Sequence, residues 1–239
     1  MYSPKIINPD VRISHSPRRI KTLAESLNFE TYLEIGVNKG RTFFKVEMPE
    51  KTAVDPKFLF DASAHSEKGS SYCAVTSDTF FANLTVKQKY DIIFLDGLHT
   101  FEQTYRDLCN SLLHAHDKTI FLIDDTRPSD VYSAYPQQRK ALAYRQKAGG
   151  QTNQWHGDVY KVVFALHDFH PGLNYRTIIG SGNPQTLVWR SNKGWRSPRF
   201  DSLETISRMS YFDLLDNIDV LRLVSEKEAL TLCIEELRI

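Results

Sequence analysis

Apolar positions along the chain follow two alternating periods. Residues 32–35, 92–95 and 120–123 are short, nearly continuous apolar runs (Tyr-Leu-Glu-Ile, Ile-Ile-Phe-Leu and Ile-Phe-Leu-Ile), as expected of strands buried on both faces. Between and before them the spacing becomes helical. Ile20, Leu23, Ala24 and Leu27 share one face of a basic helix predicted over 17–27, and Tyr105, Leu108, Leu112 and Leu113 mark another. A helical stretch is predicted over 40–46, a second strand over 52–54 ending at Asp55, and a third over 72–76. Ser77-Asp78 then reads as the start of a helix holding Phe80, Phe81 and Leu84.

Strands that alternate with helices imply right-handed crossovers and a doubly wound parallel sheet. The pattern changes at its end. Apolar segments 175–179 and 186–189 are separated only by Gly180-Ser181-Gly182-Asn183-Pro184, too short for a crossover helix, so they form an antiparallel hairpin. The expected fold is therefore α/β, a Rossmann-like doubly wound sheet of seven strands, mostly parallel, closed by that hairpin and flanked by helices. It forms a single domain over 1–239, with its core at about 30–190. The segment 202–239 carries Ile206, Met209, Phe212, Leu215, Leu221 and Val224 as helical packing surface, either covering the sheet edge or forming a homodimer contact.

The first buried run opens into Glu34-Ile35-Gly36-Val37-Asn38-Lys39-Gly40. A glycine after a strand lets the backbone turn tightly, and a second lets a cofactor approach the main chain. Asn38 stands where a dinucleotide fingerprint has its second glycine, leaving G-x-x-x-G. About 20 residues separate this loop from Asp55, the distance one strand-helix-strand unit imposes, and a carboxylate there can accept two hydroxyl hydrogen bonds.

Composition narrows the partners. Thirty basic and 29 acidic residues leave a formal charge of +1, so no global field favours nucleic acid. Cys73, Cys109 and Cys233 are dispersed and odd in number, which suits reduced thiols in a cytoplasmic chain better than a disulfide framework. No run approaches the roughly 20 apolar residues of a membrane span, and the N-terminus has no apolar signal core.

With these features in place, the chain resembles the class I S-adenosylmethionine-dependent methyltransferase superfamily. The likeness rests on residues 33–40, Asp55 and the closing hairpin. Ser77-Asp78-Thr79-Phe80-Phe81, residues 91–99 and Trp155-His156-Gly157-Asp158-Val159-Tyr160-Lys161 are similar to the small-molecule and sugar O-methyltransferase subgroup. The resemblance implies S-adenosylmethionine as cofactor, held by Glu34, Gly36, Gly40, Asp55, Asp78 and Asp96, and a small-molecule hydroxyl as acceptor.

Asp96, Asp124 and Asp125 follow the fourth and fifth strands, whose ends lie side by side at about 4.8 Å spacing. Three clustered acids repel one another, and a divalent ion with oxygen ligands, Mg²⁺, would relieve this. Capping of the following segments explains the same acids without metal. His99, just past the fourth strand, lies over the expected methyl-transfer point and is the candidate general base, with a structural capping role as its alternative. The polar segment 126–154 is placed as an acceptor-binding lid or a solvated insertion. Its Tyr132, Tyr135 and Tyr144, with Trp155, suit sugars or planar phenols. His114 and His116 are assigned to a helix end, and His167 and His170 are read as surrounding a loop before the hairpin. Arg190, Lys193, Arg196 and Arg199, interleaved with Trp189 and Trp195, read as a phosphate pocket or a solvated loop. An NAD-dependent oxidoreductase and a non-catalytic cofactor-binding module remain the rival readings, and a nucleic-acid methyltransferase lacks its usual basic face and motif.

Overall fold

A computed structural model describes residues 15–65, 67–191 and 196–238. The strands are β1 (Thr31–Ile35), β2 (Glu50–Val54), β3 (Ser70–Cys73), β4 (Tyr90–Leu95), β5 (Ala115–Ile123), β6 (Leu173–Ile179), β7 (Gln185–Arg190) and β8 (Leu223–Ser225). They form one sheet in the order β3-β2-β1-β4-β5-β7-β6-β8. Only β7 is reversed, running antiparallel to both β5 and β6. Because the order switches between β1 and β4, a crevice opens at their carboxyl ends. In β4, Ile92 and Phe94 enter the core on one face while Ile93 and Leu95 enter it on the other, each at most 2% exposed.

The helices are α1 (His15–Leu27), α2 (Ser77–Asn83), α3 (Phe101–Leu112), α4 (Gln138–Lys147), α5 (Tyr160–Phe169), α6 (Leu203–Arg208), α7 (Tyr211–Asp216) and α8 (Glu226–Leu237). Ile20, Leu23 and Ala24 of α1 share one core cluster with Ala229, Leu230, Cys233 and Leu237 of α8, so the two chain ends cover the same sheet face. Thr76 caps α2, its Oγ1 accepting from the Thr79 amide, and so takes the N-cap role one residue before the expected start.

Three expectations are corrected. The sheet has eight strands rather than seven, because Leu223–Ser225, expected within a helical tail, pairs in parallel with β6. Leu223 and Val224 pack inward through this pairing, a long-range contact that helical spacing cannot reveal. The predicted helix over 40–46 is only a 3-10 turn, Phe43–Lys45. Asn38 and Gly40 both have positive φ, at 50° and 71°, a backbone that a right-handed helix cannot continue through. Finally, the loop expected between His167 and His170 begins only at His170, because helix α5 runs on to Phe169. Its buried run Val162-Val163-Phe164-Ala165-Leu166 has no polar face, so it lacks the stripe by which surface helices are read. The three cysteines carry no disulfide, and Cys233 is buried. Among the described residues, no helix is long and apolar enough to cross a membrane.

Asp91 anchors the start of β1. Its Oδ2 accepts from the amides of Glu30 and Thr31 and from the Thr31 hydroxyl at 2.8–2.9 Å, and Oδ1 lies 2.9 Å from His116 Nε2. Burial would raise this carboxyl's pKa, but the hydrogen bonds from His116 and residues 30–31 outweigh it and hold the group well below the usual range. Its stabilising contribution is present above an ordinary value of 3.8 and fades as pH falls toward the depressed folded value. Asp91→Ala is expected to cost about 2–4 kcal/mol in urea unfolding at neutral pH. A change below about 0.5 kcal/mol would refute this anchoring role.

Candidate active site

The loop after β1 is stitched to its neighbours by backbone. Gly36 N donates to Val54 O and Asp96 N to Ile35 O, both at 2.9 Å, which draws together the ends of β1, β2 and β4. Gly36 has φ +88°, and a Cβ there would run into the carbonyl group of Asp96. Asn38, the departure from the dinucleotide pattern, adopts the left-handed conformation that asparagine tolerates. Its amide donates to Asp55 Oδ2 at 2.8 Å, while Asp55 Oδ1 accepts from Lys57 N at 2.7 Å. Asp55 is thus held at the rim by main-chain donors, with lone pairs left for hydroxyl groups.

A cavity of about 720 Å³ fills this crevice, and its walls include Glu34, Gly36, Asp55, Asp78 and Asp96, five of the six expected cofactor residues. Gly40 lies outside the wall, where its missing Cβ makes room for the Phe44 ring. Glu34 is 1% exposed, and burial holds its carboxyl well above the usual range while Tyr32 Oη donates to it at 2.6 Å. Asp78 pairs with Arg106 at 3.1 Å. Asp107 on α3 also lines the cavity and was not anticipated. Burial pushes it up to about 6, and Gln103, one helical turn earlier, donates to it at 3.0 Å. A Gln and an Asp four apart on an amphipathic helix were its faint sequence signal.

Beyond Asp96 the crevice ends in an acid-imidazole group. His99 Nδ1 lies 2.7 Å from Asp125 Oδ2, an ion contact without the alignment of a hydrogen bond, and Nε2 lies 3.6 Å from Asp96 Oδ1. Among the described residues, ligand atoms of Asp96, His99 and Asp125 lie within 4.8 Å of one another. Burial alone would lower the His99 pKa, but Asp125 and Asp96 outweigh it and push it up to about 10. Burial also raises Asp96, to about 6, although His99 opposes this. Asp125 is held below its ordinary value because His99 outweighs its own burial.

The segment 155–158 packs around His99 and its neighbours, with Trp155 and Gly157 against His99 itself. Trp155 stacks on the imidazole, with centroids 4.8 Å apart and planes at 11°. The buried His156 Nε2 lies 4.0 Å from Asp125 Oδ1, and a Cβ on Gly157 would collide with the His99 carbonyl. Asp158 Oδ1 accepts from Phe101 N at 2.8 Å, supplying the first amide of α3 with a partner. The preceding polar segment is also tied down. Buried Arg145 of α4 donates to Asp130 and to the carbonyls of Thr152 and Gln154, and Trp155 Nε1 donates to Tyr135 O.

Asp124 is not one of the three whose ligand atoms converge, but it is bridged to Asp125. Its Oδ1 accepts from the Asp125 amide at 2.9 Å and from Asn183 Nδ2 at 2.7 Å, and the same amide nitrogen donates to Asp125 Oδ1 at 2.6 Å. Asn183 sits in the β6–β7 loop, which buried Arg19 of α1 grips through the carbonyls of Ser181 and Asn183 and the side chain of Gln185. No local pattern marks either residue, because their role arises where distant segments meet.

Much of the expected phosphate pocket is used internally. Arg196 donates to the carbonyls of His170 and Leu173 and lies 5.1 Å over the Tyr175 ring, and Arg199 pairs with Asp219. Arg190 lies 3.9 Å from Asp117, and residues 192–195, including Lys193 and Trp195, fall outside the described residues.

A family model described as a methyltransferase domain matches residues 33–126. No curated protein matches the chain in sequence. Among solved structures, a Klebsiella pneumoniae protein assigned as an O-methyltransferase aligns with TM-score 0.51 and 14% identity, over 76% of this chain and 83% of that one. The S-adenosylhomocysteine-bound Podospora anserina methyltransferase PaMTH1 aligns with TM-score 0.51 and 12% identity, over 74% and 78%. At such identities the structural likeness speaks for the fold. The chain thus carries a match to a methyltransferase domain over residues 33–126, on a sheet that shares the fold of these methyltransferase structures.

Proposed function

We propose that the chain transfers the methyl group of S-adenosylmethionine to a hydroxyl of a small molecule such as a sugar or a phenol. The observation that carries this reading is one continuous cavity, running from Asp55 past Gly36 to Asp96 and His99. Asp55 would hold the ribose hydroxyls, and the close backbone approach at Gly36 would seat the cofactor. Methyl transfer is an in-line displacement, so the remaining work is to align the acceptor oxygen and remove its proton.

His99, charged up to about pH 10, has no free lone pair at neutral pH and acts as an orienting cation between Asp96 and Asp125. Asp96, raised to about 6, is the carboxylate poised to accept the proton near working pH. This moves the base role from His99, where sequence reasoning put it, to its neighbour.

A second reading adds Mg²⁺, favoured by the closeness of the Asp96 and Asp125 carboxylates. Those two oxygen donors fit such an ion; His99, the third member of the group, would have to give up a ring proton to join them, and Asp124 is not part of it. Bound there, the ion would lower the acceptor hydroxyl's pKa.

Calorimetry with S-adenosylhomocysteine, followed by methyl-donor assays on sugar and phenol panels, tests the main reading. Absence of binding would sink it. Turnover that is unchanged in chelator would remove the metal and leave the rest standing.

A further inference from the structure

Arg19 of α1 is a charge at a place where packing asks for none. Its helix neighbours Ile20, Leu23 and Ala24 already attach α1 to the core by apolar contact, yet Arg19 itself is fully buried. Burying a guanidinium is costly unless its donors find partners. Here all of them do. Nε donates to Glu226 at 2.9 Å, Nη1 to Asn183 O at 3.2 Å and to the Gln185 side chain, and Nη2 to the carbonyl and hydroxyl of Ser181. Apart from the one bond to Glu226, the whole fork is directed at residues 181–185, the β6–β7 loop.

That loop needs an external hold. Gly180 and Gly182 both have positive φ, at 83° and 68°, and glycines leave such a link free to take other turns. Its Asn183 nevertheless makes bonds that demand one fixed position. The amide nitrogen reaches Asp124 Oδ1 at 2.7 Å and Asp125 Oδ1 at 2.6 Å, while the other oxygen of Asp125 lies 2.7 Å from His99 Nδ1. A continuous chain of contacts therefore runs from Arg19, through the backbone and side chain of Asn183, to Asp125 and His99.

We infer that Arg19 is a positioning residue of the active site: from outside the cavity it fixes the 181–185 loop, so that Asn183 holds the Asp125 carboxylate against His99. Lysine would keep the charge beside Glu226, but its compact ammonium has fewer donors and no planar fork with which to grip two carbonyls at once. Alignment of reacting groups is sensitive to displacements of about 1 Å, so a loosened loop should be felt in turnover rather than in cofactor binding. The catalytic consequence rests on the proposed function, whereas the placement of His99 does not.

The test is a double-substitution cycle on the full chain, Arg19→Lys and Asn183→Ala, read in two ways. The first is the imidazole C–H signal of His99 in histidine-labelled protein by NMR, identified by its loss in His99→Gln and made sensitive to ring placement by the stacked Trp155. Each single substitution should displace this signal, and Arg19→Lys should displace it no further once residue 183 is alanine. The second is methyl transfer from S-adenosylmethionine to the best acceptor of the sugar and phenol panels. Each substitution should lower turnover about tenfold and the pair no more than about twofold beyond the stronger single, with S-adenosylhomocysteine affinity kept within about twofold. Should Arg19→Lys not fold, Glu226→Gln, which neutralises the carboxylate shared by Arg19 and the Ser181 hydroxyl, takes its place with the same pattern expected. An unmoved His99 signal in the folded variant, or losses that multiply to about 100-fold in the double variant, overturns the inference. If the unaltered protein transfers no methyl group, the proposed function has failed, and the His99 signal alone decides whether Arg19 positions the ring.

Discussion

Gly36→Ala is expected to abolish S-adenosylhomocysteine binding and to lower the unfolding midpoint by roughly 4–20 °C, corresponding to about 2–5 kcal/mol. Two costs combine. The residue holds φ +88°, which costs an alanine about 1–2 kcal/mol, and the new methyl would meet the Asp96 carbonyl, part of a backbone hydrogen-bonded into the sheet. Overpacking against a rigid neighbour adds roughly 1–3 kcal/mol. Gly149→Ala is the matched control. Its φ is +82°, but nothing lies within 4 Å of the added methyl, so it should lose only about 1–2 kcal/mol and bind normally. Thermal melts and calorimetry on both variants decide the matter. Equal effects would show that the close approach of the two loops has no importance.

His99→Ala should reduce turnover about 100-fold or more, while affinity for S-adenosylhomocysteine changes little. Removing the imidazolium leaves Asp96 and Asp125 facing each other without the cation that lies 2.7 Å from one and 3.6 Å from the other. With a chosen acceptor, the rate in the unaltered protein should rise with pH through about 6 as Asp96 loses its proton, then stay level until His99 titrates near 10. A rate that instead climbs only near 10 would return the base role to neutral His99.

The same groups each lower stability as pH rises, but in separate windows. His99, raised from 6.5, contributes stability that is complete below 6.5 and is lost as pH rises through about 10. Asp96, raised from 3.8 by burial, costs stability progressively as pH rises from 3.8 through about 6. Acid and alkaline titrations of the unfolding midpoint in His99→Ala would separate them.

Where strands were buried on both faces, the sequence was an adequate guide. Residues 92–95 and 120–123 are apolar at every position because both faces of β4 and β5 meet core, a demand that does not depend on what lies opposite. The turn chemistry was equally local. A two-glycine loop after the first strand and a short polar link between two apolar segments led to the crevice beside Gly36 and the β6–β7 hairpin. Elements without a local period escaped. Uniformly apolar α5 has no stripe, α4 buries only Ala141 and Arg145, and β8 exists only because β6 offers it an edge.

The amino-acid sequence by itself thus determined the layer architecture, the glycine loop after β1 and the set of carboxylates at the strand ends, because each follows from burial or turn geometry within a few residues. Only the tertiary structure decided what those carboxylates do. It set His99 between Asp96 and Asp125, stacked Trp155 on its ring, and used Asn183, held by Arg19 of α1, to bridge Asp124 and Asp125. Charge states in such a group depend on neighbours within about 4 Å and on burial. Both are fixed by which segments the fold brings together, not by their order along the chain.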